Sequence, residues 1–149
     1  MAKGVGTFRG VAVVLLVDDD ADSAEAVVRF LSKAGHKVVY RPNGREALNA
    51  LSTESPDVVI LDAMMPEMDG VGFLEVIRCY LRWQALPVIL LTGYAEGPHI
   101  RRASEWGVKR TFLKGDCDLS ELLAQVEACT VPLPSANRIG QLNAPRLDC

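Results

Sequence analysis

The chain has 149 residues, the length of one globular domain, and its composition is 49% hydrophobic and 23% charged. Its net charge of -3 lacks the basic excess of a nucleic-acid-binding surface. No apolar stretch approaches the ~20 residues of a membrane-spanning helix and no signal peptide is evident, so we expect a cytoplasmic protein without a direct nucleic-acid or membrane partner.

The first half of the chain alternates short apolar runs with stretches of helical spacing. Asp20 is placed to cap the first helix, and Gly35 suits its end. Polar residues flank the second strand, which indicates an edge position. The predicted elements are strand 13–17, helix 21–34, strand 37–41, helix 45–52 and strand 58–61.

The second half continues the same alternation, and Asp118 is placed to cap the last helix. Its predicted elements are a loop 64–70, helix 71–83, strand 88–91, helix 98–106, strand 108–114 and helix 119–129. In the helix 71–83, the core candidates are Phe73, Leu74, Ile77 and Leu81. Five successive strand–helix units predict a doubly wound α/β fold with a parallel sheet and helices on both faces. We expect an N-terminal arm at 1–10, one domain at 11–129 and a tail or added turn at 130–149.

Four apolar runs each stop on polar residues that phosphoryl chemistry uses. Asp18 and Asp19 follow the first run, Asp62 follows the third predicted strand, and Thr92 and Lys114 close the last two. The carboxyl ends of parallel strands meet at one edge of a sheet, where ligand sites lie. We therefore expect these five side chains to converge at that edge.

The three carboxylates at this edge predict a metal site. Hard oxygen ligands suit Mg²⁺, which binds through one or two carboxylates and keeps several waters. Since crowded carboxylates repel each other, Asp18, Asp19 and Asp62 need a cation between them. The backbone carbonyl of Met64, two residues after Asp62, is expected to complete the ligand set.

The same edge supplies the groups for phosphoryl transfer. Asp62 is the candidate nucleophile, and its attack on phosphorus would form an acyl phosphate. Lys114 would pair with one phosphoryl oxygen, and Thr92 would donate a hydrogen bond to another. Taken one at a time, residues of these types are more often helix caps, turn hydroxyls or surface charges. We assign Asp20 to the cap of the first helix and not to the site. Their joint placement at four strand ends is what favours a site.

Four segments resemble the motifs of response-regulator receiver domains. They are Val17-Asp18-Asp19, Leu61-Asp62 with Met65-Pro66-Glu67-Met68-Asp69-Gly70, Leu91-Thr92-Gly93, and Leu113-Lys114. The resemblance covers about residues 11–129 and implies a flavodoxin-like fold with strand order 2-1-3-4-5.

The resemblance also implies roles for individual residues. Asp62 would accept a phosphoryl group from a histidine kinase or a histidine phosphotransfer protein. Mg²⁺ would bind to Asp19, Asp62 and the Met64 carbonyl, with Asp18 acting through water. The phosphate would be sensed by Thr92 and Lys114.

Two positions depart from the family's pattern. Gly115 follows Lys114 where the family usually has a proline, so a cis peptide bond is not expected there. Thr111 occupies the position of an aromatic residue that swings inward on activation, and Phe112 falls on the other face of its strand. Tyr94, just beyond the fourth strand, is the candidate to shield the site instead.

Met64 and Tyr94 hold the two positions that tune hydrolysis of the acyl phosphate in this family. Neither side chain offers a carboxylate or a carboxamide to orient an attacking water. We therefore expect slow loss of phosphate.

Three functions stay open from the sequence. The first is a phosphoacceptor module, not an enzyme beyond slow self-dephosphorylation, which stands alone or comes from a larger chain and could dimerise when phosphorylated. The second is a degenerate receiver that binds a partner without phosphate, which Thr111 and Gly115 keep open. The third is a Mg²⁺-dependent aspartyl phosphohydrolase, which needs a second aspartate where Met64 stands.

Overall fold

The computed structural model describes residues 10–65, 70–93 and 97–130, which contain one five-stranded parallel sheet. Its strands are β1 Val13–Val17, β2 Lys37–Arg41, β3 Val58–Leu61, β4 Val88–Thr92 and β5 Arg110–Leu113. Their order is β2-β1-β3-β4-β5, and every neighbouring pair is parallel. The predicted flavodoxin-like order is confirmed, and Lys37–Arg41 does lie at an edge.

Five helices cover the two faces of this sheet. They are α1 Ala21–Lys33, α2 Gly44–Glu54, α3 Gly70–Arg78, α4 Pro98–Glu105 and α5 Leu119–Cys129. Leu31 of α1 and Leu122 of α5 are buried in one hydrophobic cluster, and Leu51, Phe73 and Ala103 of the other three helices are buried in a second. Strand residues alternate between the clusters because successive side chains point to opposite faces. The fold is therefore doubly wound.

Side-chain caps fix where the helices begin. The Asp20 carboxylate accepts hydrogen bonds from the backbone N–H groups of Asp22 and Ser23, and Asp118 accepts one from Ser120. Both caps satisfy N–H groups that the first helical turn leaves unpaired, which confirms the two predicted capping roles.

The prediction for the third helix was wrong at its C-terminal end. The helix ends at Arg78 instead of continuing to residue 83, and a separate 3₁₀ turn covers Leu81–Trp83. Leu81, expected in the core, is 75% exposed. The Arg78 guanidinium donates to the carbonyls of Trp83 and Leu86, at 2.9 and 2.8 Å, and to two more beyond α4. These contacts hold the chain in a turn that local periodicity does not reveal.

The last strand is also shorter than expected. It ends at Leu113, and Lys114–Asp116 form a 3₁₀ turn. Lys114 thus leaves the sheet and reaches across its edge.

Several sequence predictions fall outside the described residues. They concern Tyr94, the loop at 66–69, the N-terminal arm before Gly10 and the tail after Thr130. The expected domain boundaries therefore stay predictions. Within the described ranges, no helix has the length and apolar character to cross a bilayer.

Candidate functional site

Strand register brings the acidic residues together. Val17 of β1 pairs with Leu61 of β3, so the residues that follow them, Asp18 and Asp62, lie side by side. The backbone N–H of Asp62 donates to the Val17 carbonyl at 2.9 Å, which extends the pairing into the site. Ligand oxygens of Asp18, Asp19 and Asp62 all lie within 4.8 Å of one another. The predicted carboxylate cluster is thus present at the expected edge.

Asp18 and Asp62 are the buried members of the cluster, and Asp18 is the more deeply buried of the two. Its Oδ1 atom accepts hydrogen bonds from the Asp20 backbone N–H and from Lys114 Nζ, each at 2.9 Å. Burial raises the pKa of the Asp18 carboxyl, and these two bonds oppose the rise without cancelling it. A buried charge that costs energy to ionise is suited to a site that gains a cation.

The Lys114 ammonium group bridges two carboxylates of the cluster. Its Nζ atom lies 2.9 Å from Asp18 Oδ1 and 3.0 Å from Asp62 Oδ2. Burial lowers the pKa of Lys114, but its bonds to the two carboxylates outweigh this effect and hold the pKa above its ordinary value. The ammonium is therefore charged and already positioned beside the candidate nucleophile.

Two hydrogen bonds define the position of the Asp62 carboxylate. Its Oδ1 atom accepts a hydrogen bond from the Met64 N–H at 3.1 Å, while Oδ2 faces Lys114. The Asp62 side chain keeps 6% of its surface exposed. Asp19 and Met64, its neighbours in the site, are both exposed.

Gly70 fixes the backbone behind Asp62. A Cβ atom at this position would lie 2.1 Å from the Asp62 carbonyl oxygen and 2.7 Å from the Cα of Ala63. The Gly70 N–H donates to the Ala63 carbonyl at 3.1 Å. Only glycine allows the start of α3 to approach this closely, which explains the glycine at the end of the loop motif.

Thr92 ends β4 and is fully buried. It pairs in register with Leu113, the residue before Lys114. The structure therefore brings all five predicted side chains, Asp18, Asp19, Asp62, Thr92 and Lys114, to one edge of the sheet.

Sequence reasoning missed Tyr40, which belongs to the same edge. Its hydroxyl donates to the backbone carbonyl of Asp18 at 2.7 Å, from the neighbouring strand β2. Burial and the nearby carboxylates, Asp18 first and then Asp19 and Asp20, raise the pKa of Tyr40. The contact follows from the register between β1 and β2, in which Tyr40 pairs with Leu16, two residues before Asp18.

Both departures from the family's pattern are visible in the structure, Thr111 in β5 and Gly115 in the turn after it. Phe112 is buried in the cluster shared with α1 and α5, on the face predicted for it, and the Arg110 guanidinium lies 4.4 Å from its ring centre. Thr111 is partly buried. The bond between Lys114 and Gly115 is trans, as expected.

The donor set fits a hard divalent cation. Three carboxylates within one another's reach offer the oxygen ligands that Mg²⁺ requires, and a buried ionised Asp18 gains from a positive neighbour. The exposed Asp19 and Met64 leave room for the water ligands that Mg²⁺ retains.

Comparison with known proteins places the sequence features in one family. Residues 14–127 match the family described as response regulator receiver domain. The DNA-binding transcriptional regulator NtrC of Escherichia coli (strain K12) is 33% identical over 138 residues, which cover 91% of this chain and 29% of that regulator. The chain thus spans less than a third of this relative.

Solved structures agree with the fold. The signal receiver domain of a signal transduction histidine kinase from Syntrophus aciditrophicus has a TM-score of 0.73 and 31% identity, covering 80% of this chain and 90% of that one. The chemotaxis protein CheY4 of Vibrio cholerae has a TM-score of 0.74 and 28% identity, covering 80% and 99%.

Proposed function

Because this chain belongs to the response regulator receiver domain family, we propose that its Asp62 accepts a phosphoryl group from a histidine kinase or a histidine phosphotransfer protein. The observation that supports this most directly is the bridge that Lys114 Nζ makes between Asp18 and Asp62. This bridge supports the proposal because an ammonium group lies between two carboxylates at the edge of the sheet where ligands bind in such folds. The proposal includes a cytoplasmic location, where such donors act.

The transfer step follows from this geometry. A carboxylate oxygen of Asp62 attacks the phosphorus of a phosphohistidine, and the new O–P bond forms as the P–N bond breaks. The imidazole leaves with the bonding electron pair. Lys114 then donates to a phosphoryl oxygen in place of an aspartate oxygen, and the Thr92 hydroxyl donates to another.

Asp18, Asp19, Asp62 and the Met64 carbonyl would hold Mg²⁺, with Asp18 acting through water. Bound Mg²⁺ supplies charge neutralisation for the carboxylates and for the incoming phosphoryl group. The residues themselves orient the nucleophile, because Met64 N–H and Lys114 fix both of its oxygens.

Two other functions are weaker. A phosphate-independent binding module would not need Asp18, Asp19, Asp62, Thr92 and Lys114 at one edge. A phosphohydrolase with an aspartyl nucleophile would need an acid–base group two residues after Asp62, and Met64 cannot transfer a proton.

Intact mass after incubation with acetyl phosphate and Mg²⁺ tests the proposal. We expect the wild-type chain to gain the mass of one phosphoryl group. Asp62→Asn should gain none, while Asp116→Asn, which removes an exposed carboxylate from the turn after Lys114, should react like wild type.

Chelation of Mg²⁺ should abolish the adduct. An adduct that survives in Asp62→Asn would contradict the assignment of the nucleophile. Release of phosphate from a phosphate ester over many turnovers would favour the phosphohydrolase, and absence of any adduct would favour the phosphate-independent module.

A further inference from the structure

Asp19 is the exposed member of the carboxylate cluster, and it lies where the chain leaves the sheet. β1 ends at Val17, and the backbone bends at Asp19 before α1 begins. Packing restrains the side chains of Asp18 and Asp62, which are both buried, but it restrains an exposed side chain much less. The direction of the Asp19 carboxylate therefore depends on how the backbone on either side of it is held.

Two peptide units meet at the Cα atom of Asp19, and hydrogen bonds hold both of them. In the unit that follows Asp19, the Asp20 N–H donates to Asp18 Oδ1 at 2.9 Å. In the unit that precedes it, the Asp18 carbonyl accepts from the Tyr40 hydroxyl at 2.7 Å. Because each peptide unit is planar, holding both units fixes the two backbone dihedrals of Asp19 and the direction of its Cβ atom.

The Tyr40 side chain is itself held in place by the fold. Its ring is partly buried and packs against the hydrophobic cluster that lies between the sheet and the helices α1 and α5. The strand that carries it stays bonded to β1 beyond the last residue pair, because the Asp18 N–H donates to the Arg41 carbonyl at 3.2 Å. A hydroxyl on a packed ring has few alternative positions, so it can define the orientation of the carbonyl that it binds.

We propose that Tyr40 is a positioning residue for the cation that Asp19 and Asp62 would share. Its hydroxyl holds the peptide between Asp18 and Asp19 in the orientation that keeps the Asp19 carboxylate within 4.8 Å of the other two. Groups that orient metal ligands without touching the metal contribute a factor of ~10–100 to metal affinity in other proteins. This inference rests on the proposed function, because the same cation would neutralise the site for phosphoryl transfer.

A purely structural role for the Tyr40 hydroxyl would have different consequences. The hydrogen bond would then stabilise the junction between β1 and β2, and its loss would lower the free energy of unfolding. The chain that remains folded would keep its affinity for a divalent cation. Cation affinity, measured separately from stability, therefore distinguishes a positioning role from a structural one.

Tyr40→Phe tests the proposal, because it removes the hydroxyl and keeps the ring that packs in the cluster. The probe is Mn²⁺, which accepts the same carboxylate, carbonyl and water ligands as Mg²⁺ and whose free ion is measured by electron paramagnetic resonance. In the absence of any phosphodonor, we expect Mn²⁺ to bind Tyr40→Phe about tenfold more weakly than wild type. Urea unfolding of both chains confirms that the measurement is made on folded protein.

Tyr80→Phe is the matched control for this measurement. It makes the same chemical change at a tyrosine that is 52% exposed and lies just after the end of α3. The Tyr80 ring contacts the Trp83 ring and none of the carboxylates of the cluster. The Mn²⁺ affinity of Tyr80→Phe should therefore equal that of wild type.

Two further measurements connect the affinity to the peptide before Asp19. The amide ¹⁵N resonance of Asp19 belongs to the same peptide unit as the Asp18 carbonyl, so Tyr40→Phe should shift it in the absence of metal and Tyr80→Phe should not. In phosphorylation by acetyl phosphate, Tyr40→Phe should need about tenfold more Mg²⁺ to reach half of its maximal rate. The maximal rate itself should stay near that of wild type, because Lys114 and the nucleophile are unchanged.

Two results would overturn the positioning role and leave the proposed function intact, since wild type would still form its adduct. An unchanged Mn²⁺ affinity in Tyr40→Phe, whatever its stability in urea, would mean that the hydroxyl does not orient the ligands. A reduced maximal rate that saturating Mg²⁺ does not restore would assign Tyr40 to the transfer step itself. A wild-type chain that neither binds Mn²⁺ nor forms an adduct would overturn both proposals.

Discussion

At the scale of single residues, the site depends on a carboxylate whose ionisation the fold disfavours. Asp18 is buried, and among the described residues Lys114 and the Asp20 N–H compensate its charge. Burial raises its pKa above the ordinary value of 3.8, which means that the ionised form destabilises the folded state relative to the unfolded chain. The ionised Asp18 carboxylate therefore lowers the free energy of unfolding.

Asp18→Asn removes this charge and keeps a hydrogen-bond acceptor. We expect the variant to have a higher free energy of unfolding than wild type at pH 7 in the absence of metal. As pH falls through the raised pKa, the folded wild type takes up a proton first and gains stability, so the difference should shrink until pH 3.8 and then stay constant.

Urea unfolding with a chelator at stepwise lower pH measures this difference. Asp22→Asn is the control, because it removes an exposed carboxylate from the first turn of α1. It should change the free energy of unfolding by about 0.5 kcal/mol or less. A difference in the free energy of unfolding that grows as pH falls would contradict the prediction that ionised Asp18 destabilises the folded state.

We expect Met64 to set a second property of the site, the lifetime of the proposed acyl phosphate on Asp62. Its side chain is 47% exposed beside Asp62 and cannot orient a water molecule. Met64→Asn supplies a carboxamide there and should shorten the half-life of the acyl phosphate by about tenfold or more. Phosphate loss followed by intact mass measures this, with Met64→Leu as the apolar control. A wild-type half-life of seconds would contradict the expectation.

At the scale of elements, the start of α3 and the end of β3 are packed backbone to backbone. Gly70→Ala would usually favour a helix, but here its Cβ would collide with the Asp62 carbonyl and with Ala63. We expect a loss of about 1–3 kcal/mol in the free energy of unfolding and slower phosphorylation, because the nucleophile must shift.

Gly93→Ala is the matched control for this prediction. It also lies at the active edge, directly after Thr92, and a Cβ there meets no atom within 4 Å. Urea unfolding and the rate of adduct formation should separate the two variants. Equal behaviour of both would show that α3 does not hold the peptide of Asp62 in place.

The Arg78 side chain connects the end of α3 to the turn that follows it and to the residues directly after α4. Its guanidinium donates to four carbonyls, those of Trp83, Leu86, Trp106 and Gly107, at distances from 2.8 to 3.0 Å. Arg78→Met should remove these four hydrogen bonds, of whose acceptors the Trp83 carbonyl keeps the Leu86 N–H as a donor, and lower the free energy of unfolding by about 3 kcal/mol. Arg82→Met, which removes an exposed guanidinium that only lies over Trp83, should cost about 1 kcal/mol or less in the same urea titration.

These elements also show what a sequence can and cannot predict. The convergence of Asp18, Asp62 and Lys114 follows from apolar runs and the rules of parallel sheets, whereas the strand order follows from the resemblance to receiver domains, and both are confirmed. The predicted end of α3 was wrong because the Arg78 side chain binds the carbonyls of Trp83 and Leu86 and holds the following residues in a turn, which the spacing of apolar residues cannot detect. Tyr40 was missed because its contact depends on the register between two strands.

At the scale of the whole molecule, the two edges of the sheet differ in the side chains that they carry. The carboxyl ends of the strands carry the acidic cluster and Lys114. The opposite edge carries a groove whose lining includes Asp57 and Trp83. Strands of only four or five residues separate them.

The entry of β1 and the exit of α5 lie at the same edge, away from Asp62. A polypeptide fused in frame at either side would be tethered behind the reactive face, and its linker would not obstruct an approaching donor. Fluorescent reporters or affinity tags attached there should leave phosphoryl transfer intact, whereas an insertion into the turn after Lys114 would not.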